Sequence, residues 1–202
     1  MAEFVFNADQ VASAQEAGSN KIETGIKKLF IQEAYLTKTA KGNNTLTIKV
    51  AGKAGAEKGF GLNGFCIDEK WASGKANYDF SKWTDLAYHA GMKTGATETI
   101  TVKHFGKDQE VQRLVELIDV ELTFALQTVF DMNQAGDKAY ENVAIYQVFS
   151  KDGKTKTEIA GNRPAKKIYK LEDRLEDYKT EAYIDFMENG GPSSDEDSQV
   201  LF

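Results

Sequence analysis

The chain has 202 residues, 25 bases, 31 acids and a net charge of −6, enough for one well-buried domain with appendages or two very small ones. Its single cysteine excludes an internal disulfide framework and leads us to expect a reducing, cytoplasmic setting. No stretch approaches the roughly 20 apolar residues of a membrane-spanning helix, and residues 1–18 lack the basic start and apolar core of a signal peptide.

Residues 1–25 are rich in Ala, Ser and Gln with weak apolar periodicity, and read as an N-terminal arm. Strand signals begin at Ile26 and run through Thr39, and Lys41-Gly42-Asn43-Asn44 supplies a turn of residues that tolerate a left-handed backbone. Residues 45–50 alternate cleanly, with Leu46, Ile48 and Val50 on one face and Thr45, Thr47 and Lys49 on the other, as in a half-buried strand. A Gly-rich connection then leads to a third strand at about 60–68.

At Ser81, a candidate N-cap, the period becomes helical: Trp83, Leu86, Ala87 and Ala90 share a face, and Gly91 is a helix stop. Val111, Leu114, Val115 and Ile118 repeat that spacing and predict a second helix, with a short strand at 99–105 between the two. Strands are expected at 120–130 and 142–150, joined by a polar loop. Beyond Ser150 come a turn (Lys151-Asp152-Gly153-Lys154), a basic cluster (Arg163, Lys166, Lys167, Lys170) and a final helix suggested by Leu171, Leu175, Tyr178 and Ala182.

Three strands, a helix and two more strands is the order of an oligonucleotide-binding (OB) barrel. The expected fold is therefore mainly β with helices: a five-stranded OB-type barrel with helical insertions. Its divisions are an arm (1–25), a core (26–150), a basic and helical appendage (151–187) and a disordered acidic tail (188–202) too poor in apolar residues to fold alone.

Most candidate chemistry fails. Gly59-Phe60-Gly61-Leu62-Asn63-Gly64 matches a dinucleotide-binding glycine pattern, but strand residues follow where that site needs a helix, so a Gly-softened strand is the better reading. Two histidines and one cysteine are too few for a Cys/His zinc site. With no nucleophile elbow and no P-loop, we expect neither an enzyme nor a cofactor.

What remains is lysines interleaved with aromatics. A sequence-tolerant site for single strands needs cations for phosphates and flat rings for bases. Lys28, Tyr35, Lys38 and Lys41 lie on the first strand and its loop, Lys49 and Lys53 on and after the second, and Phe60, Lys70, Trp71, Lys75 and Tyr78 on or after the third. Tyr146 and Lys151 belong to the last hairpin. Trp71 and Tyr78 are the expected stacking rings, whereas Trp83, on the apolar helix face, is assigned to the core. The net charge does not oppose this reading. Residues 171–202 hold ten acids and two bases, leaving 23 bases against 21 acids in residues 1–170. Phosphate binding responds to such local charge.

The chain ends Ser193-Ser194-Asp195-Glu196-Asp197-Ser198-Gln199-Val200-Leu201-Phe202, an acidic run closed by apolar residues. This layout resembles the tails of bacterial and phage single-stranded-DNA-binding proteins, although the bacterial tail usually ends Pro-Phe rather than Leu-Phe. The stretch 35–46, from Tyr35 to Leu46 through Lys41-Gly42-Asn43, resembles the first hairpin of phage-encoded OB-fold replication proteins. The resemblance implies a protein that coats single-stranded DNA and recruits replication or recombination proteins through Asp195, Glu196, Asp197, Leu201 and Phe202. A homo-oligomer is compatible with it, and no membrane partner is expected. A different class, an interaction adaptor or DNA mimic acting through acidic surface, fits less well with the slightly basic body.

Overall fold

The computed structural model describes residues 22–39, 41–56, 59–104, 107–133 and 135–189. The N-terminal arm up to residue 21 and the tail from residue 190 lie outside them. Strand β1 (Gly25–Lys38) is the longest element and the hub of the sheet. Its first half pairs with β6 (Glu121–Met132), its second half with β2 (Asn44–Ala51), and Tyr35 and Leu36 also meet β5 (Lys107–Leu114). A register shift between Ile31 and Glu33 bends β1 where it changes partners.

Strand β2 continues antiparallel to β3 (Phe60–Cys66), which touches β7 (Ala139–Phe149) in parallel at Asn63 and Ala144. Strand β7 returns antiparallel to β6. The circuit β1-β2-β3-β7-β6-β1 nearly closes a five-stranded barrel, with the helix α1 (Phe80–Ala90) between its third and fourth strands. This is the OB-type architecture expected from the strand order.

Alternation fills the interior. Ile31, Leu46, Ile48, Val50, Leu122, Phe124, Leu126 and Val148 are essentially solvent-free. From α1, Leu86 is fully buried and Trp83 packs half-buried against the same core. Gly91 ends α1 at φ 69°, the left-handed stop its sequence announced. The start lies two residues earlier than expected: Asp79 is the N-cap, and the Ser81 hydroxyl donates to Tyr78 O (3.0 Å) from within the first turn.

Two expectations need correction. The second helix is absent: Val111 and Leu114 lie on β5, zipped along its whole length to β4 (Thr97–His104), and only Val115–Leu117 winds as a 3-10 turn. The Thr-, Ile- and Val-rich run of β4 demands a strand partner, and the pairing Ile100 with Val111 supplies it. The final helix is also not continuous. Leu171 belongs to α3 (Lys167–Glu172), Tyr178 to β8 (Tyr178–Lys179), and Ala182 to α4 (Glu181–Glu188). Strand β8 binds β6 at Val129 and Phe130, which takes residues 178–179 out of any helix.

The appendage begins with α2 (Lys156–Ala160), opened by a capping box in which Thr155 and Glu158 satisfy each other's backbone N–H. Ile168 of α3 docks on Ala125 and Phe149. It also lies so close to Gly153 that a Cβ there would come within 2.9 Å of Ile168 Cδ1. Among the described residues no helix is long and apolar enough to cross a membrane.

Candidate nucleic-acid interface

Because Leu46, Ile48 and Val50 face the core, β2 turns Thr45, Thr47 and Lys49 outward. Strand β3 borders this outer face with two glycines. Gly61 lies opposite Lys49, and Gly64 packs so closely on β2 that a Cβ would come within 3.0 Å of Thr45 Cγ2 and 3.1 Å of Leu46 O. Gly59 is held tighter still, since a Cβ would fall on the Gln32 amide and 2.8 Å from Val50 O. The glycine pattern is thus a strand device, as its sequence context implied. At Gly61 and Gly64 it leaves a strip of backbone that a flat ligand can approach closely. Gly61 has no atom within 4 Å of its missing Cβ. Gly61→Val is therefore expected to fold normally but raise a wall in the strip; were the strip the path of a single strand, fluorescence titration should show oligonucleotide binding weakened tenfold or more, at the order of a lost stacking contact.

The loop between β1 and β2 meets the segment after β3 at one end of this strip. Asp68 joins them: its carboxylate accepts from Asn44 N (2.8 Å), Asn44 Nδ2 (2.8 Å) and Asn43 Nδ2 (3.4 Å). Asn43 Oδ1 in turn accepts from Ala72 N (3.3 Å). The hydrogen bonds from Asn44, chiefly its side chain, hold the Asp68 carboxyl below its ordinary range, and Lys38 adds to the effect.

Residues 70–76 form a small hairpin, with Trp71 N donating to Lys75 O (2.8 Å) and Gly74 N to Trp71 O (2.7 Å). Buried Asn77 clamps its base, donating to Cys66 O (3.0 Å) and Asp68 O (2.8 Å). The result brings Lys38, Lys41, Lys70, Trp71, Lys75 and Tyr78 to one end of the barrel. All four lysines are exposed, as are Trp71 (37 %) and Tyr78 (90 %).

The other sequence-selected residues divide. Lys49 sits on the strip but pairs with Glu33 (2.9 Å), and exposed Lys53 follows β2. Half-buried Phe60 packs against the core, and Phe65 is inside it. Tyr146 is exposed on β7, two residues beyond the Ala144 that meets β3. Tyr35 is a correction: at 5 % exposure its ring is covered, and burial raises its phenol pKa, so it cannot serve as a stacking platform. Lys28, paired with Glu121 (3.7 Å), and Lys151 lie elsewhere, lining a shallow cavity at the β1–β6 junction. The tail residues Asp195, Glu196, Asp197, Leu201 and Phe202 fall outside the described residues.

Sequence reasoning missed the part played by Asp68, Asn43 and Asn77, which hold the loops together. Their only signal was the density of Asn and Asp around turns. Among the described residues no group of three or more His, Cys, Asp or Glu is placed to hold a metal ion. Comparison with protein-family models, curated proteins and solved structures gave no match to this chain.

Proposed function

We propose that the protein is a non-catalytic single-stranded-DNA-binding protein of the phage type, taking single strands with little sequence preference. The supporting observation is the Asp68 network, which clamps a lysine-bearing loop against an exposed tryptophan hairpin at the end of a glycine-paved barrel face. Lys38, Lys41, Lys70 and Lys75 hold phosphates there. Trp71 and Tyr78 stack bases, each contact worth about 1–3 kcal/mol, and the strip gives the chain of nucleotides a close path along β2 and β3. The acidic tail recruits replication or recombination proteins through its terminal apolar residues.

Titration with fluorescent oligo(dT) at several salt concentrations tests this reading. Binding is expected at low salt and should weaken as salt rises, with a logarithmic slope of about −0.7 per lysine–phosphate contact. A preference for duplex, or no response to oligo(dT) at low salt, overturns it. The second of those results favours the adaptor reading.

A further inference from the structure

The basic cluster of the appendage is not used by the site above. Helix α3 is anchored by Ile168, which is buried, and Leu171, which packs beside it against Ala125 and Phe149. Helical spacing of about 100° per residue then sends Tyr169, Lys166, Lys170 and Lys167, in that angular order, around the outward arc. All four are exposed, Tyr169 by 65 %.

The support beneath them is unusual in where it spends its charge. Glu158, the one acid among the described residues buried against this segment, points its carboxylate at backbone rather than at the lysine heads. It accepts from Lys166 N and Lys167 N, both at 2.9 Å. The two ammonium groups are left to the solvent side. Next to Tyr169 opens the shallow cavity of about 380 Å³, floored by Ile26 and Ile168 and flanked by Lys28, Lys151, Asp152 and Glu172. Its size suits a single base or sugar. Its lysines suit a phosphate, and its two carboxylates can accept from a base N–H such as thymine N3–H.

We propose that this face is a second contact surface for single-stranded nucleic acid, reached by a strand that has already crossed the β2–β3 strip and continues around the barrel. The inference rests on the binding reading above and adds length to it. A short oligonucleotide occupies the strip and the Trp71 hairpin alone. A longer one also lays phosphates along Lys166, Lys167 and Lys170 and stacks a base on Tyr169.

The test compares (dT)10 with (dT)40 over a salt series, using the full chain, a combined Lys166→Ala, Lys167→Ala, Lys170→Ala variant, and Tyr169→Ala. All four side chains are exposed, so unchanged unfolding midpoints serve as the folding control. Affinity for (dT)10 should be unaltered in both variants. For (dT)40 the lysine variant should bind about tenfold more weakly, with a salt slope shallower by about 2, following the coefficient for single strands. Tyr169→Ala should weaken (dT)40 binding without moving the slope.

Equal losses on both lengths, or an unchanged (dT)40 affinity, overturn the second surface. A wild-type protein that ignores (dT)10 overturns instead the primary reading. A synthetic peptide of residues 188–202 that binds wild type but not the lysine variant, with (dT)40 binding unaffected, would assign the patch to acidic polypeptide and also overturn the inference.

Discussion

Replacing Glu158 with alanine is expected to destabilise the protein by about 3 kcal/mol, the order found when a buried charged acceptor is removed and its donors are left unpaired. The carboxylate is buried and fully engaged. One oxygen accepts from Thr155 N (2.9 Å) and Thr155 Oγ1 (3.0 Å), the other from Lys166 N and Lys167 N (both 2.9 Å). One side chain therefore caps α2, orients its own cap residue and starts α3. Without it, the segment that carries Ile168 onto the barrel loses its fixed path, so amide exchange at Lys166 and Lys167 should accelerate by more than exchange in β1.

The same site has a pH signature. Burial works against the charged form, but the backbone donors Thr155, Lys167 and Lys166 outweigh it and bring the Glu158 pKa from 4.5 down to about 2. A carboxylate whose folded pKa is depressed adds stability that is complete above its unfolded value and disappears as pH falls through the folded one. The stability gap between wild type and Glu158→Gln, measured by denaturant unfolding, should thus be widest above pH 4.5 and shrink toward pH 2. A gap that stays constant over that interval would show that shape, not charge, is what the site requires. Asp68, Asp131 and Glu116 are also held low by hydrogen bonds, which is why the difference between the two proteins is the useful quantity.

The barrel was readable because its strands alternate. In residues 45–50 every second side chain is apolar, and a one-residue slip would turn Leu46, Ile48 and Val50 to water, so pattern fixes register. Helix α1 was readable for the matching reason, a 3.6-residue period ended by Gly91. Residues 107–118 failed because Val111, Leu114, Val115 and Ile118 carry the helical spacing of three and four, and only the strand partner overrides it. The eight-pair ladder with β4 decides, and it is a tertiary fact. The last segment failed for a related reason, since β8 exists only because β6 offers an edge at Val129 and Phe130.

Residue type gave the chemistry of the candidate site but not its assembly. Lys38 and Lys41 stand about thirty positions before Lys70 and Trp71, and the bonds that unite them run through Asp68, Asn43 and Asn44. Asn43 and Asn44 read only as turn residues, and short polar side chains are common in every loop, so nothing marks Asp68 as their partner in advance. Tyr35 shows the opposite failure. Alternation puts it on the outer face with Lys49 and Glu33, the groups that shift its phenol electrostatically, yet it is covered there. Strand parity tells which face a ring is on, and only packing tells whether water reaches it.

The two tryptophans offer the sharpest discrimination of that kind. Trp71 is exposed in a hairpin held by its own backbone bonds and by Asn43, so Trp71→Ala should leave the unfolding free energy within about 0.5 kcal/mol of wild type, as for surface positions. Its effect on oligo(dT) should be large, about 1–3 kcal/mol or roughly 5- to 150-fold in Kd, because a stacked ring is lost and no other aromatic stands within residues 70–76 to replace it. Trp83 packs against the core from the apolar face of α1, and Trp83→Ala should cost about 3 kcal/mol of stability, the lower end for a buried aromatic because the ring is only half-covered. Intrinsic fluorescence reads both at once: oligo(dT) should quench the emission of Trp83→Ala, in which only Trp71 remains, and leave that of Trp71→Ala nearly unchanged. If the quenching instead survives in Trp71→Ala and vanishes in Trp83→Ala, bases meet the protein beside α1, and the hairpin is not the platform.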